Sequence, residues 1–272
     1  MTAKIIFGSK NILGTVTDEQ LQAMLDRFHL GNLISAEKTD QGAMGQTMFI
    51  TSTEGEFVLK GNPLYPGQLE EEKFFIDQID KRTTIPVPTP YMIDDTLEIF
   101  EWKYALMPRL KGTHLDAKSL QEKLQTEDKL NIAKSIAATL LEFHHWKVDN
   151  FGELHPKTLD IEPFAPSYTE WLFHRIRYWL EDAKKYSDLT QKDFAWVESQ
   201  LEGSRAAFLH FDSPTFVMGD FKTGNFLVHP GENSWEISGV FDFTNSYFAD
   251  SLLDLVKMLI YYIDNGEIEI AA

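Results

Sequence analysis

FVMGDFKTGNFLVHPGENSWEISGVFDFTNSYFADSLLD, residues Phe216 to Asp254, is the stretch from which the rest of the chain can be read. An apolar run leads into Gly219-Asp220, and Asn225 follows five positions after that Asp. Phe226-Leu227-Val228 has the composition of a strand, Pro230-Gly231 makes a turn, and Ile237-Ser238-Gly239-Val240-Phe241 returns toward Asp242-Phe243-Thr244. The spacing predicts a hairpin with two carboxylates and a carboxamide at its ends.

Asp and Asn are common in turns because their side chains bond to nearby backbone groups, so Asp220 alone would mark only a turn. The second Asp, seventeen positions beyond Asn225, changes that reading. Phosphoryl transfer uses one carboxylate to orient and accept the proton of the attacking hydroxyl. An Asn and a second Asp then hold magnesium against the triphosphate. D-x-x-x-x-N, a strand pair and D-F-x stand here in that order.

On these residues the chain resembles the aminoglycoside phosphotransferase and choline kinase group within the protein-kinase-like fold. That group's loop reads H-G-D-x-x-x-x-N, followed by a D-F-G-like element and then G-D-P-x-x-D-L. Met218-Gly219-Asp220 to Asn225, Asp242-Phe243-Thr244, and Ala249-Asp250-Ser251-Leu252-Leu253-Asp254-Leu255 occupy those places. Met218 replaces the usual His and Thr244 the usual Gly, and neither change removes a metal ligand or the proposed base.

The resemblance implies an α+β, bilobal protein-kinase-like fold. Residues 1–107 form a small antiparallel sheet with a helix and bind nucleotide; residues 108–272 form a larger, mainly helical lobe that holds the acceptor. It implies Mg2+-dependent transfer of the γ-phosphate of ATP or GTP to a small-molecule hydroxyl. Asp220 is then the base and Asn225 and Asp242 the metal ligands. Lys222 stands where protein kinases often place a lysine near the transferred phosphate and the small-molecule branch often has His, and is either that cation or an exposed loop lysine. Asp254 and Asp250 are expected to brace the loop. A catalytically silent nucleotide- or partner-binding module is the alternative that Met218 and Thr244 favour. A peptide kinase is set aside because no A-P-E follows Asp242.

Working back from the motif, Thr17-Asp18-Glu19-Gln20 starts a capped helix that runs to about Leu30. Strands are expected over Leu33 to Thr39, Thr47 to Thr53 and Glu56 to Lys60. The turn Asp40-Gln41-Gly42-Ala43-Met44-Gly45-Gln46 has only two glycines, yet in the resemblance Gly42 and Gly45 cover the nucleotide phosphates. Lys60 takes the place of the strand lysine that contacts them. On the next helix Leu69, Glu72, Ile76 and Ile79 share one face, which puts Glu72 inward as the partner of Lys60 and turns Glu70 and Glu71 elsewhere. Thr84 to Pro90 is extended. Leu97 to Trp102 and Lys103 to Met107 are expected to pair, and in the resemblance backbone groups near Met107 meet the purine.

After Gly112 the periodicity becomes helical. Thr126 to His144 is a long amphipathic helix with Leu130, Ile132, Ala133, Ile136, Ala137, Leu140 and Leu141 inward. Trp171 to Tyr186 and Gln191 to Phe208 follow, their aromatic residues assigned to packing.

The 272 residues are 43% hydrophobic and 25% charged, a globular composition with a net charge of −17. Nucleic acid is therefore not an expected partner, since binding phosphate backbones needs basic clusters. The acidity either serves solubility or, gathered in a cleft, attracts magnesium and a cationic acceptor such as an aminoglycoside. The absence of cysteine excludes disulfides and thiol chemistry. No run is long enough for a signal peptide or a bilayer span, so a cytoplasmic protein without a membrane partner is expected.

Overall fold

The computed structural model describes residues 12–39, 46–208, 213–232 and 234–271. The first helix, α1 (Asp18–Arg27), opens with a capping box in which the Thr17 hydroxyl accepts from the Gln20 amide and the Gln20 side chain accepts in return. Strands β1 (Leu33–Lys38), β2 (Thr47–Ser52) and β3 (Gly55–Gly61) form a meander, since Glu54-Gly55 turns the chain tightly and β2 alternates half-buried with buried residues. Helix α2 (Gln68–Arg82) follows, then β4 (Met92–Asp94) and β5 (Tyr104–Pro108), and the five strands order as β1-β2-β3-β5-β4 with antiparallel pairing throughout.

The partner of β5 is thus Met92–Asp94 and not Leu97 to Trp102. Residues 95–103 instead form an irregular loop, with Leu97 at φ 60°. Arg27 ties the start of that loop through Asp94, Thr96 and Glu98, and Phe100 stacks on Trp102 with ring centroids 4.4 Å apart. Aromatic burial in the small core under the sheet decides this segment's course, against its strand-like composition.

The chain continues through β6 (Thr113–His114), the short α3 (Lys118–Gln121), α4 (Thr126–His144), β7 (Gly152–Leu154), β8 (Ile161–Pro163), α5 (Tyr168–Ala183) and α6 (Gln191–Phe208). It ends with β9 (Thr215–Val217), β10 (Phe226–Pro230), β11 (Trp235–Val240), β12 (Tyr247–Ala249), α7 (Leu255–Asp264) and α8 (Ile268–Ala271). Two further small sheets, β11-β10-β6 and β8-β7-β12-β9, interrupt the expected helical character of this half. The fold is therefore a mixture of helices and antiparallel sheets.

Helix α4 has its expected bounds but is rotated from the expected face. Ile132, Ile136, Thr139, Leu140 and Phe143 are buried, whereas Leu141 is 64% exposed and Ala137 points outward. Helix α2 carries Phe75, whose ring lies 5.4 Å from that of Phe216, 5.8 Å from Phe248 and 6.1 Å from Trp146. The main core thus runs without a break from α2 through α4 to β9 and β12. Among the described residues no helix is long and apolar enough to cross a membrane.

Candidate active site

Hairpin β10–β11 brings the sequence motif together. Phe226 pairs with Val240, and the Phe241 amide donates to the Asn225 carbonyl at 3.3 Å, so Asn225 and Asp242 emerge at the same end. A 3-10 turn over Thr223–Asn225 faces Asn225 back toward Asp220. The Asn225 side-chain nitrogen donates to the Asp220 carbonyl at 2.8 Å and to its Oδ2 at 3.2 Å. Using the nitrogen this way turns the carboxamide oxygen away from the Asp220 carboxylate.

Asp220 is reached through β9 and Gly219. Gly219 has φ +75°, and a Cβ there would stand 2.3 Å from the Asn245 carbonyl oxygen, so the turn requires glycine. Asp254, buried at the start of α7, accepts from the Met218 amide at 2.7 Å and the Gly219 amide at 2.8 Å. This is the bracing contact expected of it. Burial pushes the Asp254 carboxyl up to about 7, against the pull of those two amides. Asp250 instead accepts from the Leu252 amide two residues on, so it caps the 3-10 turn Ser251–Asp254 rather than bracing the Asp220 loop as expected. Met218, in the place of the usual His, has no exposed surface and packs into the main core, so a packing residue fills that position.

On the other side, Lys60 points from β3 to α2. Its Nζ lies 2.7 Å from Glu72 Oε2, 2.9 Å from Thr244 Oγ1 and 3.4 Å from Asp242 Oδ1. Burial works against the ammonium, yet the carboxylates of Glu72 and Asp242 outweigh it and hold the Lys60 pKa above the ordinary lysine value. Tyr91 also donates to Glu72 Oε2 at 2.8 Å, so the buried carboxylate has two partners. Glu70 faces outward to Lys103, as expected. Glu71 does not: it is buried, and Tyr65 donates to it at 3.2 Å. Tyr65 also donates to the Thr244 carbonyl, so the Thr that replaces Gly is held through both its hydroxyl and its backbone.

The Asp242 backbone sits in the left-handed region at φ 68°, which an Asp tolerates better than most residues, and its side chain is 40% exposed. A carboxylate and a carboxamide oxygen at one end of a hairpin suit Mg2+, which takes few protein oxygens and completes its shell with phosphate and water. Among the described residues no cluster of three or more His, Asp or Glu could hold a metal by itself. Asn225 and Asp242 thus fit as two oxygen donors to a magnesium ion that takes its remaining ligands from elsewhere.

Met107 lies on β5 opposite Val58, with its side chain buried in the main core. Strand β4 pairs only as far as Leu106, so beyond that point β4 does not cover the edge of β5. Gly42 and Gly45 lie outside the described residues. Lys222 stands at the loop with Nζ 2.7 Å from Asp220 Oδ2. Two participants escaped the sequence reading. Tyr91 carries no spacing signal, and Lys257, which bonds to Asp220 Oδ1 from α7, showed only as a charge interrupting an apolar run. Hydrogen bonds from Lys222 and Lys257 outweigh burial and hold the Asp220 carboxyl below the usual carboxylate range.

A family model described as the phosphotransferase enzyme family matches residues 35–272. No curated protein sequence matches the chain. Among solved structures, the GDP complex of wild-type aminoglycoside 2'-phosphotransferase-IIIa superposes with a TM-score of 0.66 at 13% identity, covering 93% of this chain and 83% of that one. A ternary complex of a thermostable APH(4)-Ia aminoglycoside phosphotransferase mutant with ADP and hygromycin B gives 0.61 at 14%, covering 92% and 83%. A putative aminoglycoside phosphotransferase from Ralstonia eutropha JMP134 gives 0.63 at 18%, covering 92% and 71%. At these identities the likeness is one of fold.

Proposed function

Because this chain belongs to the phosphotransferase enzyme family, we propose that it moves the γ-phosphoryl group of ATP or GTP to a hydroxyl of a small molecule. The observation that carries this reading is the run of contacts from Glu72 through Lys60 to Asp242, and from Asn225, at the same hairpin end, to Asp220. In this reading residues 1–107 supply Lys60 and Glu72, the edge of β5 near Met107 meets the base, and residues 108–272 supply the groups at the transfer point.

Lys60, fixed by Glu72, neutralises and orients the phosphates. Asp220 aligns the acceptor hydroxyl and takes its proton as the hydroxyl oxygen bonds to the γ-phosphorus; the bond from that phosphorus to the β-phosphate oxygen breaks, and the nucleoside diphosphate leaves. Asn225 and Asp242 would hold Mg2+, which when bound offsets the charge of the phosphates. Lys222 lies close enough to share in that role. The reading also places the protein in the cytoplasm, where nucleoside triphosphate is supplied.

The test is coupled ADP release over a panel of aminoglycosides, amino alcohols, sugars and sugar acids, with Asp220→Asn as blank. Acceptor-dependent release that falls at least a hundredfold in that variant is the expected result. Equal rates in the two proteins would remove Asp220 from the role of base.

A further inference from the structure

Two ammonium groups close over Asp220, and they come from different elements. Lys222 belongs to the loop itself and bonds to Oδ2. Lys257 reaches in from the first turn of α7, bonding to Oδ1 and, at 3.2 Å, to the Gly219 carbonyl. Their side chains are 48% and 49% exposed, against 11% for Asp220. The solvent side of the proposed base is therefore covered by cations, in a chain whose net charge is −17. The acids around them are already engaged or shared. Asp254 is buried beneath, bonded to two backbone amides, and Asp116 stands with Lys222 beside Gly224.

We propose that Lys257 determines acceptor specificity by pairing with a carboxylate on the acceptor, so that the substrate is a small hydroxylated acid. The inference rests on the phosphotransfer reading above. A lone pair of Asp220 that holds an ammonium is not open to the acceptor hydroxyl, and Lys257 takes one on Oδ1 while its charge lowers the oxygen's basicity. An acceptor carboxylate takes the ammonium in a like-for-like exchange, one ion pair for another, and frees that oxygen. A polycationic acceptor instead meets two like charges at the opening and leaves Asp220 capped. The overall acidity describes the whole surface, whereas these two lysines are what an acceptor meets on reaching Asp220. During transfer the acceptor oxygen bonds to the γ-phosphorus, the bond to the β-phosphate oxygen breaks, the proton passes to Asp220 Oδ1, and the carboxylate stays paired with Lys257.

The test uses acceptors matched in all but one group: gluconate, sorbitol and glucamine, and separately glycerate, glycerol and 3-amino-1,2-propanediol. With Mg2+ and ATP, kcat/KM for each acid should exceed that of its neutral counterpart at least tenfold, with the amine lowest. Lys257→Met should raise KM for the acids at least tenfold and erase the preference, and Lys257→Arg should restore most of it. A preference for the neutral or amine members, or one that survives Lys257→Met, overturns the proposal. Thermal shift with Mg2+ and the non-hydrolysable AMP-PNP separates this inference from the reading beneath it. Stabilisation by gluconate or glycerate that is lost in Lys257→Met supports acid recognition even if no acceptor is turned over, an outcome that counts only against the kinase reading. Failure of both acids to bind and to turn over, with the AMP-PNP shift intact, overturns the specificity proposal alone.

Discussion

Asp254 touches no reacting atom in the proposed mechanism, yet it fixes the turn before Asp220 by accepting from two successive amides with its two oxygens. Asp254→Asn keeps the size but has only one acceptor oxygen, so one buried N–H loses its partner. The expected cost is about 1–3 kcal/mol in denaturant unfolding. The same carboxyl, raised to about 7 by burial, sits well above its unfolded value. Between roughly pH 4 and 7 the folded protein therefore binds a proton that the unfolded chain releases, and this group's contribution to stability falls as pH rises through that window. A pH series of unfolding free energies should show that slope in the wild type and a shallower one in Asp254→Asn. Identical slopes would mean that the two amides keep Asp254 ionised throughout.

The turn that joins β9 to the loop offers the sharpest test among the elements. Gly219→Ala must hold a left-handed φ and also place a methyl group 2.3 Å from a backbone oxygen that no side-chain rotation can relieve. The conformational part alone costs about 1–2 kcal/mol, and the displacement of Asp220 should lower kcat by about a hundredfold. A variant with wild-type melting and turnover would show that the turn can be rebuilt. Elements governed by local chemistry were legible in the sequence: the capping box of α1, the meander of β1 to β3, and α4 with both its ends. The pairing of Glu72 with Lys60 was legible from helical spacing, and the meeting of Asp220, Asn225 and Asp242 at one hairpin end from the order of the motif; their catalytic roles belong to the proposed reading. The rest was set at long range. Strands β9 and β12 have three residues each, and their pairing of Val217 with Tyr247 joins positions thirty apart without alternation in either. Residues 97–102 look like a strand but follow Phe100 and Trp102 into the core. The burial of Glu71, the rotation of α4 and the reach of Lys257 likewise depend on neighbours that no local spacing encodes.

Across the whole molecule, α2 joins the five-stranded sheet to the main core. Its Glu72 holds Lys60, and three residues on, Phe75 is packed among Trp146, Phe216 and Phe248. Phe75→Ala should cost about 3–5 kcal/mol in unfolding free energy. It should also raise KM for ATP more than it lowers kcat with bound substrate, because the helix that presents Glu72 loses its seat. A change confined to stability would separate the two roles. Ile76 and Ile79 are wholly buried on the same helix, so swinging it outward would tear open the interior along its length. Parting Glu72 from Lys60 by such a swing would therefore forfeit the burial of both isoleucines as well as the ion pair. In the proposed reading, the ammonium that would meet the triphosphate is thus already oriented by its neighbours, with no rearrangement left for the ligand to drive there.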